Sequence, residues 1–158
     1  MGKKEEKTNV MRLLDSKKLP YVSHCYDPEL TDSVRVAATL GQTPEQVFKT
    51  LVTVGASGAH FVFMVPSGGE LDLKKAAKAA GEKSIQMILQ RELLPLTGYI
   101  HGGCSPIGMK KPFPTFIDET ALLFETIFFS GGRVGHQVQM NPEDLMKMMN
   151  ITPVDLTK

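Results

Sequence analysis

The chain has 158 residues, 42% of them hydrophobic and 22% charged, with 18 Lys and Arg against 17 Asp and Glu. That length fits one domain, taken here as residues 1–158, and the composition excludes wholesale disorder. A net charge of +1 excludes a uniformly basic, histone-like protein but leaves room for a local basic patch.

The first seven residues are charged and no apolar stretch follows them, which predicts no signal peptide. Over residues 8–18, Val10, Leu13 and Leu14 recur at helical spacing, predicting an amphipathic first helix that Pro20 ends. Residues 21–26 alternate like a strand. Residues 33–40 read as a second helix closed by Gly41, and Thr43 and Pro44 open a further helical turn as N-cap and N1. Residues 48–54 and 61–65 are β-branched and aromatic runs on either side of Gly55 to Gly58, a hairpin signal. A helix with an alanine-rich face follows over 71–80, then a short strand over 83–87 and a helical turn over 89–94. Strands are expected at 115–118, 123–130 and 138–140, and Asn141 with Pro142 caps a C-terminal helix. The pattern predicts an α+β fold: a mixed, mostly antiparallel sheet or partly open barrel of about six strands surrounded by helices.

The longest apolar runs fall far short of the ~20 residues that span a membrane, so no membrane association is expected. Two cysteines, Cys25 and Cys104, make no disulfide framework and fit a reducing, cytoplasmic setting.

Two glycine-rich segments stand out. One runs Gly98-Tyr99-Ile100-His101-Gly102-Gly103-Cys104-Ser105-Pro106-Ile107-Gly108, the other Ser130-Gly131-Gly132-Arg133-Val134-Gly135. From spacing alone the segments read first as two tight turns in a β-rich fold; the alternative is a pair of loops that let a ligand approach main-chain N–H groups, with the Ser105 and Ser130 hydroxyls able to donate to an oxyanion or a ribose. Neither segment has the spacing of a Rossmann or Walker phosphate loop. Lys49 interrupts an otherwise apolar strand entry, where an ammonium needs solvent, an acid or a ligand. Metal binding is not expected, because the His101–Cys104 and His24–Cys25 pairs lack zinc-site spacing. Cys104 as a nucleophile would need a base, and His101 is the only residue near it in sequence that could serve. Charge is uneven: residues 49–111 hold eight basic side chains and four acids, a surplus of four, while the rest of the chain is net −3. Beside a glycine-lined pocket that surplus suits a phosphate-bearing ligand.

Taken together, Lys7-Thr8-Asn9, Tyr26-Asp27, Phe48-Lys49-Thr50-Leu51, Leu73-Lys74-Lys75-Ala76-Ala77, Gly98-Tyr99, the Gly102–Gly108 loop, the Ser130–Gly135 segment and Pro142-Glu143-Asp144-Leu145 resemble the YbaK/EbsC family of aminoacyl-tRNA deacylases. That family is related to the editing domain of prolyl-tRNA synthetases. The resemblance implies a trans-editing hydrolase that removes cysteine from mischarged Cys-tRNA(Pro), without cofactor, metal or protein nucleophile. The substrate's own thiol would attack its ester carbonyl. It implies Lys49 as the catalytic residue at the tRNA 3′ end, with Tyr26, Thr50, Tyr99, Gly102, Gly103, Ser105, Ser130, Gly131 and Gly132 binding substrate. It assigns Cys104 no role. A transient complex with prolyl-tRNA synthetase is implied as the means of choosing tRNA(Pro). An alanine-specific deacylase, a non-catalytic tRNA- or synthetase-binding module and a thiol enzyme using Cys104 are the competing readings.

Overall fold

The structure, a computed structural model, describes residues 7–30 and 32–158; the charged start that argues against a signal peptide lies almost wholly outside them. Helix α1 (Asn9–Ser16) begins where the Thr8 hydroxyl accepts the Met11 N–H, and it buries Val10, Met11 and Leu14. Strand β1 (Val22–Cys25) and helix α2 (Ser33–Thr39), capped by Asp32, follow. Thr43 to Gln46 forms a turn rather than a helix: the Gln46 N–H reaches the Thr43 carbonyl and the chain enters a strand at once.

The expected hairpin is β2 (Phe48–Gly55) with β3 (His60–Pro66), paired antiparallel from Phe48 opposite Pro66 to Val54 opposite His60. Helix α3 (Leu73–Ala80) lays Ala76 and Ala77 inward and ends on Gly81 at φ +71°. Then come β4 (Ile85–Met87) and α4 (Gln90–Thr97), in which the Glu92 carboxylate accepts the Leu89 N–H at 2.9 Å. Beyond a long loop stand β5 (Thr115–Asp118), a 3-10 turn (Glu119–Leu123), β6 (Ile127–Ser130), β7 (His136–Met140), α5 (Pro142–Met149) and β8 (Thr152–Val154). The Asn141 side chain caps α5 by accepting the Glu143 and Asp144 N–H groups.

Among the described residues eight strands form two sheets, ordered β1-β7-β6 and β4-β2-β3-β5-β8. Pairings are antiparallel except those of β5 with β3 and with β8. The fold is the expected α+β class with a mostly antiparallel arrangement, in two sheets not closed into a barrel. They touch where Val47 bridges Phe128 and the Phe128 N–H donates to the Gln46 carbonyl. The main core lies beneath that junction, where α1, β2, β6, β7 and α5 bury Leu14, Phe48, Ile127, Phe129, Val138 and Leu145.

Candidate active site

A cavity of about 190 Å³ opens where the sheets meet. Sites for drug-sized ligands run ~300–1,000 Å³, so this one admits a group of amino-acid size rather than a large cofactor. Val47 and the first half of β2, from Phe48 to Leu51, make one wall. Phe129 and Ser130 of β6 with Gln137 of β7 make a second, and Tyr26 with Ser33 and Val36 of α2 a third. Leu93 of α4 and the loop residues His101, Gly102 and Cys104 close the fourth side.

The polar groups in this cavity are mostly unspent. Lys49 is half-buried, and among the described residues no ion pair or hydrogen bond engages its ammonium. The Thr50 Oγ1 next to it is buried without a hydrogen-bond partner, a state that is uncommon in folded proteins because it costs desolvation with no return. Ser130 Oγ accepts the Gly132 N–H at 3.1 Å, which leaves its own hydrogen to donate. Burial pushes the Tyr26 phenol above its ordinary range, against an opposing hydrogen bond from the Gly135 backbone. Gln137, 3% exposed, exchanges amide hydrogen bonds with Gln42 at 2.8 and 3.1 Å, so the wall it forms is neutral and fixed. Burial also pushes the Cys104 thiol up to about 12, which keeps it protonated near neutral pH and therefore a poor nucleophile. Among the described residues no three His, Cys, Asp or Glu side chains group as a metal site.

Of the residues singled out from sequence, Tyr26, Lys49, Thr50, Gly102 and Ser130 line the cavity. Tyr99, Gly103, Ser105, Gly131 and Gly132 stand behind it and shape the loops. The Tyr99 hydroxyl donates to the Ile107 carbonyl, and the fully buried Ser105 Oγ accepts the Ile107 N–H at 3.3 Å, so both brace the loop from within. A Cβ on Gly103 would sit 3.0 Å from the Val134 nitrogen, so the two glycine loops press backbone to backbone. Gly132, at φ +92°, would drive a Cβ to 2.7 Å from Val10 on α1. Sequence reading missed Ser33, Val36, Leu93 and Gln137. None of them carries a local signal; the amide partner that allows Gln137 to be buried lies 95 positions away.

The aminoacyl-tRNA editing domain model matches residues 27–148. EbsC of Enterococcus faecalis, a protein named as a candidate Cys-tRNA(Pro)/Cys-tRNA(Cys) deacylase, is 42% identical over 94% of this chain and 92% of its own. The chain belongs to the aminoacyl-tRNA editing domain family. A proline–tRNA ligase of Pelobacter propionicus is 31% identical over 53% of this chain and 15% of the ligase. The crystal structure of a candidate trans-editing enzyme for prolyl-tRNA synthetase shares the fold at TM-score 0.81 and 25% identity, covering 98% of this chain and 99% of that one. Every cavity-lining residue of this editing domain from Ser33 to Gln137 falls within the matched span, and Tyr26 immediately precedes it.

Proposed function

We propose that this protein is a trans-editing hydrolase that clears cysteine from mischarged Cys-tRNA(Pro) in the cytoplasm. The observation that carries the reading is an amino-acid-sized cavity holding an unpaired Lys49 ammonium and an unpartnered Thr50 hydroxyl, whose one thiol is held protonated. An aminoacyl ester is already activated, so holding it in a reactive pose and donating to the developing oxyanion suffices without a protein nucleophile. Lys49 holds the tRNA 3′ end. Thr50, Ser130 and Tyr26 position the aminoacyl group, and Gly102 leaves room for it against the main chain. The substrate's thiol sulfur bonds to its own ester carbonyl carbon, the bond to the ribose oxygen breaks, and that oxygen takes the thiol's proton. Free tRNA leaves together with a thiolactone, which water then opens. Tyr99, Gly103, Ser105, Gly131 and Gly132 act through the loops they brace, and association with prolyl-tRNA synthetase supplies the choice of tRNA(Pro).

Deacylation of Cys-, Ala- and Pro-tRNA(Pro) by the wild type and by Lys49→Ala tests this reading. The wild type is expected to act on the cysteine ester alone, and Lys49→Ala to lose roughly 100-fold or more in kcat/KM, the scale of a lost transition-state contact. Equal rates for the two proteins would remove Lys49 from the mechanism, and Ala-tRNA(Pro) cleaved as fast as Cys-tRNA(Pro) would remove the thiol step.

A further inference from the structure

Helix α4 has two working faces. Leu93 and Thr97, four residues apart, are buried, and Leu93 reaches the cavity. Arg91, Glu92, Pro95 and Leu96 turn the other way and, with Lys111, line a second, shallower groove. The same loop joins the two. It leaves α4 at Gly98, lines the cavity with His101, Gly102 and Cys104, and returns to be tied at its base by the Lys110 N–H to the Thr97 carbonyl at 3.0 Å. Lys111, on the outer rim, follows directly.

The groove is electropositive. Arg91 and Lys111 are exposed, and among the described residues neither is in an ion pair. The one acid in it, Glu92, is engaged in capping Leu89. Lys110 adds a third exposed cation beside it. Cavity and groove are lined by the same helix, Leu93 facing the one and Arg91, Glu92, Pro95 and Leu96 the other.

Resting on the deacylase reading above, we infer that the Arg91–Lys111 groove takes the backbone phosphates of the substrate tRNA's terminal strand, just upstream of the ester held in the cavity. The groove thus gives affinity without reading sequence, since guanidinium and ammonium contacts to phosphate carry no base information. It also gives a use to three of the eight basic residues, Arg91, Lys110 and Lys111, that a chain of nearly neutral total charge keeps in residues 49–111.

The test compares wild type, the double variant Arg91→Ala/Lys111→Ala, and a control, Lys74→Ala/Lys78→Ala, that removes the same charge from α3 on the far side of the five-stranded sheet. Each is assayed on Cys-tRNA(Pro) across a salt series, on 3′-O-cysteinyl-adenosine, which has no phosphate backbone, and for binding of uncharged tRNA(Pro) by fluorescence anisotropy. The groove variant is expected to lose roughly tenfold or more in tRNA affinity and in kcat/KM on Cys-tRNA(Pro), and its log–log salt slope is expected to fall by about 1.4, for two single-strand phosphate contacts. Its rate on the adenosine ester stays at the wild-type value, as does the control on every substrate. Unchanged tRNA affinity and slope would overturn the inference. An equal loss on the adenosine ester, an equal loss in the control, or a loss that appears only when prolyl-tRNA synthetase is present would overturn it as well, the last assigning the groove to a protein partner. If the wild type cleaves neither ester, the deacylase reading falls, and the anisotropy series alone decides the groove.

Discussion

At the scale of single residues, Thr50 carries a buried hydroxyl that no group among the described residues hydrogen-bonds. Leaving a buried oxygen unpaired costs about 1–3 kcal/mol, and the neighbouring strand residues Val52 and Phe48 show that an apolar side chain would be accepted there. Ser67 Oγ is unpartnered too, but of the two only Thr50 lines the cavity, where the proposed substrate would meet it. Thr50→Val keeps the shape and removes the oxygen, so the folded protein is expected to be as stable as wild type or up to about 1 kcal/mol more stable. Its kcat/KM on the cysteine ester is expected to fall roughly tenfold, the worth of about one neutral hydrogen bond. Denaturant midpoints and initial rates measured on the same preparation check both. A variant less stable than wild type, or one as active, would return Thr50 to the core. Lys49 stands out in sequence because a cation interrupts an apolar strand entry, whereas Thr50, β-branched like its neighbours, is pointed to only by the family resemblance. Gln137 does not stand out, because its burial depends on Gln42, and no local pattern announces a partner 95 residues distant.

At the scale of elements, the strong periodicities carried through and the short ones did not. The β2–β3 hairpin, the alanine-faced α3 and the Asn141-capped α5 lie within a residue or two of where pattern and caps put them. The expected strand over 123–130 begins only at Ile127, because Asp118 imposes a different local structure upstream. Its carboxylate caps the 3-10 turn by accepting the Thr120 N–H and hydroxyl, and its other oxygen accepts the Leu156 N–H at 2.9 Å. That last bond also explains β8, which sequence did not announce. Thr152 to Val154 carries a proline and pairs only along one side with β5, as an edge strand allows, and Asp118 anchors the chain just past it. Asp118 is 1% exposed, so Asp118→Ala strands the buried Leu156 N–H and uncaps the turn together. The expected cost is about 3 kcal/mol, with Asp118→Asn, which keeps one acceptor oxygen, losing about half as much. Urea denaturation checks this, and a midpoint within error of wild type for Asp118→Ala would show that β8 is held by other means.

At the scale of the whole molecule, the cavity loop couples stability to pH on the alkaline side. Cys104 is pushed from 9.0 to about 12 by burial, and Tyr99 from 10.0 to about 12, by burial first and then by the nearby Cys104. Both groups are neutral in the folded protein at a pH where the unfolded chain has already released their protons. Their contribution is therefore fully present below pH 9 and is lost as pH climbs toward about 12. For the buried Cys104 the loss runs at up to ~1.4 kcal/mol per pH unit; Tyr99 is only half-buried, solvent screens it, and it adds less. The expected profile is flat stability from neutral to pH 9 as far as this loop is concerned, then a steep decline. Cys104→Ala leaves a small cavity and lowers stability at every pH, yet it also removes the first titration. Relative to wild type its decline should start nearer pH 10 and be shallower, so the two curves converge between pH 9 and 12. Thermal midpoints taken in half-unit steps from pH 7 to 11.5 resolve that convergence. Parallel curves would mean that the thiol ionises as freely in the folded protein as in the unfolded chain, and with that the case for burial raising the Cys104 thiol would fall.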